Sequence, residues 1–245
     1  MEIKQGCLYV VATPIGNLSD ISKRAIHTLQ GVDFIAAEDT RNTGLLLSKL
    51  DIKAKQTSYH EHNARQKGEE IVRRLRGGES CAIVTDAGMP CISDPGEDLV
   101  RLCYENDVAV YVVPGACALT AAVSVSGLCT RRFCFEGFLP LKKRKAYLDS
   151  LKDAPHTLVF YEAPHKLRTT LSDLMEHLGN RNVAVCRELT KLYEEVQRGR
   201  LSDMIALYEE KNPKGEYVLV VEGAPKPPPK IKTNKYANLK EKSDD

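Results

Sequence analysis

Apolar residues along this chain gather in short β-branched runs, and between the runs they recur at helical spacing. The alternation predicts strands over residues 8–12, 32–37, 81–85 and 108–113, with helices over 21–29, 44–50, 68–76 and 95–106. Gly77 and Gly78 supply a stop signal for the third of these helices. The strands hold few polar positions. Runs of this kind point to a mostly parallel sheet covered by helices on both faces, an α/β fold.

A second set of strand-like runs begins near Phe133, over 133–138, 157–161, 183–186 and 217–221. Within it, Leu167, Leu171, Leu174, Met175 and Leu178 form one apolar helix face. The boundary between the two sets falls inside the helical stretch 116–128. It divides the chain into an N-terminal α/β domain over 1–117 and a C-terminal α/β domain over 118–224. After Gly223 come Pro225, Pro227, Pro228, Pro229 and six lysines, so residues 225–245 are expected to form a flexible tail. No repeat of solenoid period occurs.

Composition narrows the classes. With 42% hydrophobic and 28% charged residues the chain suits a globular protein rather than a disordered one. Its 35 basic and 33 acidic side chains leave a net charge of +2, so any nucleic-acid surface must be local. The most apolar run, 118–128, contains Thr120, Ser124, Ser126 and Gly127 and falls short of the roughly 18–20 apolar residues of a membrane span. No secretory signal pattern is visible, and a cytoplasmic location without membrane contact is expected. None of the eight cysteines forms a C-x-x-C pair; they read as reduced core residues.

In parallel α/β sheets ligands bind beyond the carboxyl ends of the strands, which selects the loops to inspect. The first, around Pro14, lacks a G-x-G-x-x-G fingerprint and so lacks the usual NAD cradle. The second carries Glu38, Asp39 and Arg41, which can orient a polar substrate, although Asp39 or Thr40 equally suits an N-cap. His60 and His62 have no third ligand at metal spacing, and no metal is expected; Asn63 with Gln66 matches a capping box. Asp86 stands beside Ala87, Gly88 and Met89, small or flexible neighbours that let a ligand approach the backbone and donate hydrogen bonds to the carboxylate. Asp94, Pro95 and Glu97 read instead as N-cap, N1 and N3 of the next helix, a structural assignment.

Small residues follow the fifth strand, among them Cys117 and Ala118. Glu162, His165 and Glu188 each follow a later strand and are candidate proton acceptors. Lys142, Lys143, Arg144 and Lys145 crowd a predicted helix start, where cations oppose the macrodipole. That placement fits an anionic partner, with a solvated helix face as the plain alternative.

Nine ordered blocks carry a family likeness: ATPIGNLSD (12–20), AEDTRNTGLLL (37–47), YHEHN (59–63), TDAGMPCISDPG (85–96), VVPGACA (112–118), RRFCFEGFLP (131–140), FYEAPHKL (160–167), CRELTKLYEEVQRG (186–199) and GEYVLVVEG (215–223). Together they resemble the tetrapyrrole methylase superfamily. The EDTR, SDPG and EAPH blocks resemble its RNA-modifying branch rather than precorrin or uroporphyrinogen methylases.

The resemblance implies two α/β domains of the tetrapyrrole methylase type, with S-adenosylmethionine in the cleft between them and a homodimer as the assembly. It implies methylation of a cytidine 2′-hydroxyl in the decoding region of 16S rRNA, with the rRNA or the small ribosomal subunit as partner and no DNA. Carried over by motif, the cofactor loops are Pro14, then Asp86, Ala87, Gly88 and Met89, then Cys117 and Ala118, with Glu162 close by. Glu162 or His165 is expected to orient or deprotonate the hydroxyl. Glu38, Asp39, Arg41, His60, Asn63, Arg131, Arg132, Lys142, Lys143, Arg144 and Lys145 are expected on the RNA side. Two departures stand out: Ala116 where the family more often has proline, and a Pro/Lys tail where the family commonly continues into a helical segment. Rival readings on the same scaffold are a methylase of a corrin or porphyrin precursor and a noncatalytic RNA- or nucleotide-binding protein.

Overall fold

Each set of apolar runs builds its own five-stranded sheet in the computed structural model, which describes residues 2–225. The first comprises β1 (Cys7–Val11), β2 (Phe34–Ala37), β3 (Gln56–Ser58), β4 (Cys81–Val84) and β5 (Ala109–Val113), in the order β3-β2-β4-β1-β5. Every pairing in it is parallel, as the alternation predicts. Its helices are α1 (Lys23–Gly31), α2 (Thr40–Lys49), α3 (Ala64–Arg76) and α4 (Glu97–Glu105).

The alternation of side chains along β1 shows why both faces are buried. Cys7, Tyr9 and Val11 join Leu29, Ile35 and Leu47 in one core, while Leu8 and Val10 join Phe34, Ile71 and Leu99 in the other. Helix ends follow local chemistry. Ser22 caps α1 by accepting from the Ala25 N–H, and Asp39 caps α2 by accepting from the Arg41 N–H.

The second sheet comprises β6 (Phe133–Phe138), β7 (Thr157–Glu162), β8 (Asn182–Arg187), β9 (Glu195–Arg200) and β10 (Tyr217–Val221), in the order β6-β7-β10-β8-β9. Parallel pairing does not extend to it: β6 and β7 alone run parallel, and the remaining pairs are antiparallel. Its helices are α5 (Ala118–Val125), α6 (Arg144–Ser150), α7 (Leu167–Leu178) and α8 (Leu201–Glu210).

One face of this sheet packs Leu158, Phe160 and Leu219 against Leu167, Leu171 and Leu174 of α7. Met175 leaves the expected apolar stripe, being 37% exposed. The other face packs Val159, Ala184, Val218 and Val220 against Leu119, Ala122 and Val123 of α5, and Ile15 joins that core from the loop after β1. A first-sheet loop is thus seated on the second sheet.

Two expectations need correction. The capping box at Asn63 does not form, because its side chain turns back to accept from the His60 N–H and donate to the Ser58 carbonyl. The cysteines are all reduced, but Cys129 is exposed, and Cys91, Cys117 and Cys134 are half-buried rather than core. The expected tail, apart from Pro225, lies outside the described residues. Among those residues no helix is long and apolar enough to cross a membrane.

Candidate active-site cleft

A cleft of about 580 Å3 opens where the loops after β1, β4 and β5 face the ends of β7, β8 and β10. That size lies within the roughly 300–1,000 Å3 of small-molecule sites. Thr13 and Gly88 exchange backbone hydrogen bonds and bring the first two loops together. Gly88 adopts φ +90, a conformation favouring glycine, and a β-carbon added there would lie 3.2 Å from Ile15 Cγ2.

The cleft has an apolar part, formed by Ile15, Met89, Ile92, Ala118, Leu189 and Val218. Around it stand six carboxyl groups, those of Glu38, Asp86, Asp94, Glu162, Glu188 and Glu216, with Lys191 as the one lysine of the lining. Glu38 accepts from the Asp86 N–H at 3.3 Å, and Asp86 accepts from Asn42 Nδ2 at 2.8 Å. Lys191 donates to Glu188 at 2.9 Å and to Glu216 at 2.8 Å.

Glu162 is 4% exposed, and both its oxygens have donors. Oε1 accepts from the Ala163 N–H at 2.8 Å, and Oε2 accepts from the Thr170 hydroxyl. Arg144 reinforces the arrangement by donating to Thr170 Oγ1 at 2.6 Å and to Asp173 at 2.6 Å. The Ala163–Pro164–His165 turn is therefore anchored to α7, and His165 is left exposed at the rim of the cleft.

Burial is the largest cause raising the Asp94 carboxyl, followed by the charges of Glu38 and Asp86; together they push it up to about 7. Burial also raises Glu38, partly offset by its bond from the Asp86 N–H. Tyr161 is held well above the usual phenol range, chiefly by burial, and its oxygen accepts from the Leu119 N–H at 3.0 Å. This carboxyl-rich surface is suited to a cationic ligand.

Residues 7–205 match the family of Tetrapyrrole (Corrin/Porphyrin) Methylases. The chain belongs to the tetrapyrrole methylase family. It is 51% identical over 222 residues to the ribosomal RNA small subunit methyltransferase I of Synechocystis sp., covering 89% of this chain and 80% of that protein. The protein of that name from Streptococcus pyogenes serotype M1 is 50% identical over 221 residues, covering 89% and 77%. Among solved structures, uroporphyrin-III C-methyltransferase of Thermus thermophilus complexed with S-adenosylhomocysteine superposes with a TM-score of 0.62 at 18% identity, covering 87% of this chain and 96% of that one. At that identity the likeness shows the fold.

Within this tetrapyrrole methylase scaffold, Asp86, Ala87, Gly88, Met89, Cys117, Ala118, Glu162 and His165 come together around the one cleft. Pro14 is not part of the lining; its neighbour Ile15 is. Glu38 lines the same cleft, whereas Asp39 caps α2 and pairs with Arg41 at 2.6 Å, Arg41 being 88% exposed. His60 and Asn63 close a turn beside a neighbouring cavity of about 540 Å3 that shares Glu38, Ser93 and Asp94 with the cleft. Arg131, Arg132, Lys142, Lys143 and Lys145 are exposed.

Arg144 departs from the expected RNA-binding set, because its guanidinium is spent on Thr170 and Asp173 and is only 17% exposed. Asp94 departs from its expected N-cap role: α4 starts at Glu97, Gly96 at φ +135 takes the cap position, and Asp94 lines the cleft. Lys191 and Glu216 also line the cleft; both lie inside family blocks, over 186–199 and 215–223, but were not singled out as site residues. Among the described residues no three His, Cys, Asp or Glu side chains are grouped to hold a metal ion.

Proposed function

We propose that the protein transfers a methyl group from S-adenosylmethionine to the 2′-hydroxyl of a cytidine in the decoding region of 16S rRNA, with the rRNA or the small ribosomal subunit as partner. The observation that carries this reading is the shared name of relatives about half identical over 89% of the chain. The domain division at 117/118, action as a homodimer and a cytoplasmic location belong to the same reading.

The residues of the cleft fit the donor. Six carboxyl groups against one lysine favour a sulfonium and an ammonium, and the apolar patch around Ile15, Met89 and Val218 suits a purine ring. Asp86 and the Gly88 backbone, with Cys117 and Ala118 opposite, would hold it. When bound, the donor supplies an already activated methyl group, so alignment and exclusion of water are the main tasks left to the protein.

Glu162 acts by positioning, since both of its oxygens are engaged and it fixes the turn that carries His165. His165, exposed at the rim, orients the incoming sugar. The exposed cations Arg131, Arg132, Lys142, Lys143 and Lys145 would meet the RNA phosphates. Recognition of the 2′-hydroxyl separates RNA from DNA.

The test is methyl transfer from labelled donor into either undermethylated small subunits or a porphyrin precursor. Label in rRNA supports the proposal. Label only in the tetrapyrrole favours the rival methylase, and donor binding without transfer to either favours a noncatalytic binder.

A further inference from the structure

Six carboxyl groups line the cleft, and five of them already accept hydrogen bonds: Glu38 from the Asp86 N–H, Asp86 from Asn42, Glu162 from Thr170 and Ala163, and Glu188 and Glu216 from Lys191. Asp94 is the exception. It is half-buried and makes no hydrogen bond to any described group. Among the described residues it is the one carboxyl group of the six with both oxygens unclaimed; Glu38, Asp86, Glu188 and Glu216 each have one oxygen engaged, and Glu162 has two.

Position adds a second argument. Asp94 lines both the cleft and the adjoining cavity under the Tyr59–Asn63 turn, so it stands where two ligands entering from different sides would meet. The loop holding it is fixed from both domains. Cys91 and Ser93 adopt φ +71 and +62, backbone conformations that L-residues rarely hold without compensation from their surroundings. On the far side, a β-carbon added to Gly137 of β6 would come within 2.7 Å of Ser93 Oγ, so Ser93 is packed against the second domain.

The geometry points to Asp94 as the catalytic residue that takes the proton from the acceptor hydroxyl during methyl transfer. This rests on the proposed reaction. In the step, a lone pair of the hydroxyl oxygen forms a bond to the methyl carbon of the donor while the carbon–sulfur bond breaks onto sulfur. The sulfonium leaves as a neutral thioether, and the hydroxyl proton passes to an Asp94 oxygen and then to water. No further oxidant or reductant is needed.

The neighbours set the pH at which this works. Glu38 after β2, Asp86 after β4, Cys91 on the same loop and Tyr161 on β7 surround the group, and burial with the two carboxylates brings it up to about 7. Below that pH it holds a proton and cannot accept another; above it the carboxylate is ready. A base poised near the working pH transfers protons most effectively.

The experiment compares wild type, Asp94→Asn and Asp94→Glu on small subunits with saturating donor. Expected are a loss in kcat of at least about 100-fold for Asp94→Asn and partial recovery for Asp94→Glu. KM for the subunit and the affinity for S-adenosylhomocysteine should stay within about threefold of wild type. Wild-type kcat should fall on the acid side with a midpoint no higher than about 7, and that limb should vanish from the residual Asp94→Asn activity.

A readout independent of turnover is thermal unfolding. The folded-state pKa is raised, so protonation stabilises the fold and this contribution is lost as pH rises through it. Asp94→Asn should therefore melt higher than wild type at about pH 8, with the gap closing toward about pH 4. An active wild type with Asp94→Asn equally active, or with no acid limb, overturns the inference alone. A wild type that moves no methyl to rRNA overturns the reaction and this inference with it.

Discussion

Thr13 and Gly88 hold each other through two backbone hydrogen bonds, Thr13 N to Gly88 O at 2.8 Å and Gly88 N to Thr13 O at 3.1 Å. The Thr13 hydroxyl adds a third tie by donating to the Thr85 carbonyl at 3.1 Å. One strand end is clamped to another, and the clamp brings Ile15 and Gly88 into the lining of the cleft. Gly88 reaches this position at φ +90, and a β-carbon there would lie 3.2 Å from Ile15 Cγ2.

Gly88→Ala should therefore destabilise the protein by about 1–2 kcal/mol and weaken donor binding as Ile15 is pushed aside. Urea unfolding and calorimetric titration with S-adenosylhomocysteine measure the two effects. Wild-type values in both would contradict the role given to this clamp.

Thr170 joins Glu162 to Arg144 beside the second sheet. Thr170→Val keeps the shape but leaves a buried carboxylate oxygen and a guanidinium N–H without their partner, at a cost of about 1–3 kcal/mol. Stability should fall in chemical denaturation, and turnover should fall with it as the His165 turn loosens.

The basic run divides into two roles. Replacing Lys142, Lys143 and Lys145 by glutamine should weaken RNA binding and flatten its salt dependence by about 0.7 in log–log slope per lost phosphate contact. Arg144→Gln should instead lower the melting temperature, because its partners are Asp173 and Thr170. Binding titrations across a salt series, paired with thermal melts, separate the two. A salt slope unaltered by the triple replacement would return these lysines to solvated surface.

Lys191 is the counter-charge of Glu188 and Glu216 on the cleft wall. Lys191→Met makes the cleft more negative, so the cationic donor should gain affinity relative to its neutral product by several-fold. The ratio of the two dissociation constants is the quantity to measure, since it cancels any general loosening of the site.

Much of this architecture was legible in the pattern of apolar residues, and the exceptions share physical causes. β3 (Gln-Thr-Ser) and β9 (Glu-Val-Gln-Arg-Gly-Arg) escaped because they are edge strands, whose exposed faces carry polar side chains. The directions in the second sheet were hidden because β7, β8 and β10 are buried on both faces, and a doubly covered antiparallel strand reads like a parallel one.

At the site, the family blocks marked Asp86 to Met89, Cys117 and Ala118, and these do converge. Asp94 was misread because Asp-Pro-x-Glu imitates a helix start. Gly96, at a backbone angle other residues resist, moves that start to Glu97 and leaves the carboxyl in the cleft. Arg144 was grouped with its lysine neighbours because its partners, Thr170 and Asp173, lie more than twenty residues away in sequence.

Co-crystallisation with S-adenosylhomocysteine locates the donor site. The product is expected between the clamp at Thr13 and Gly88 and the ends of β8 and β10, its sulfur facing the side from which Asp94 is reached. Density for it elsewhere on the surface, or no association at all, would contradict the account.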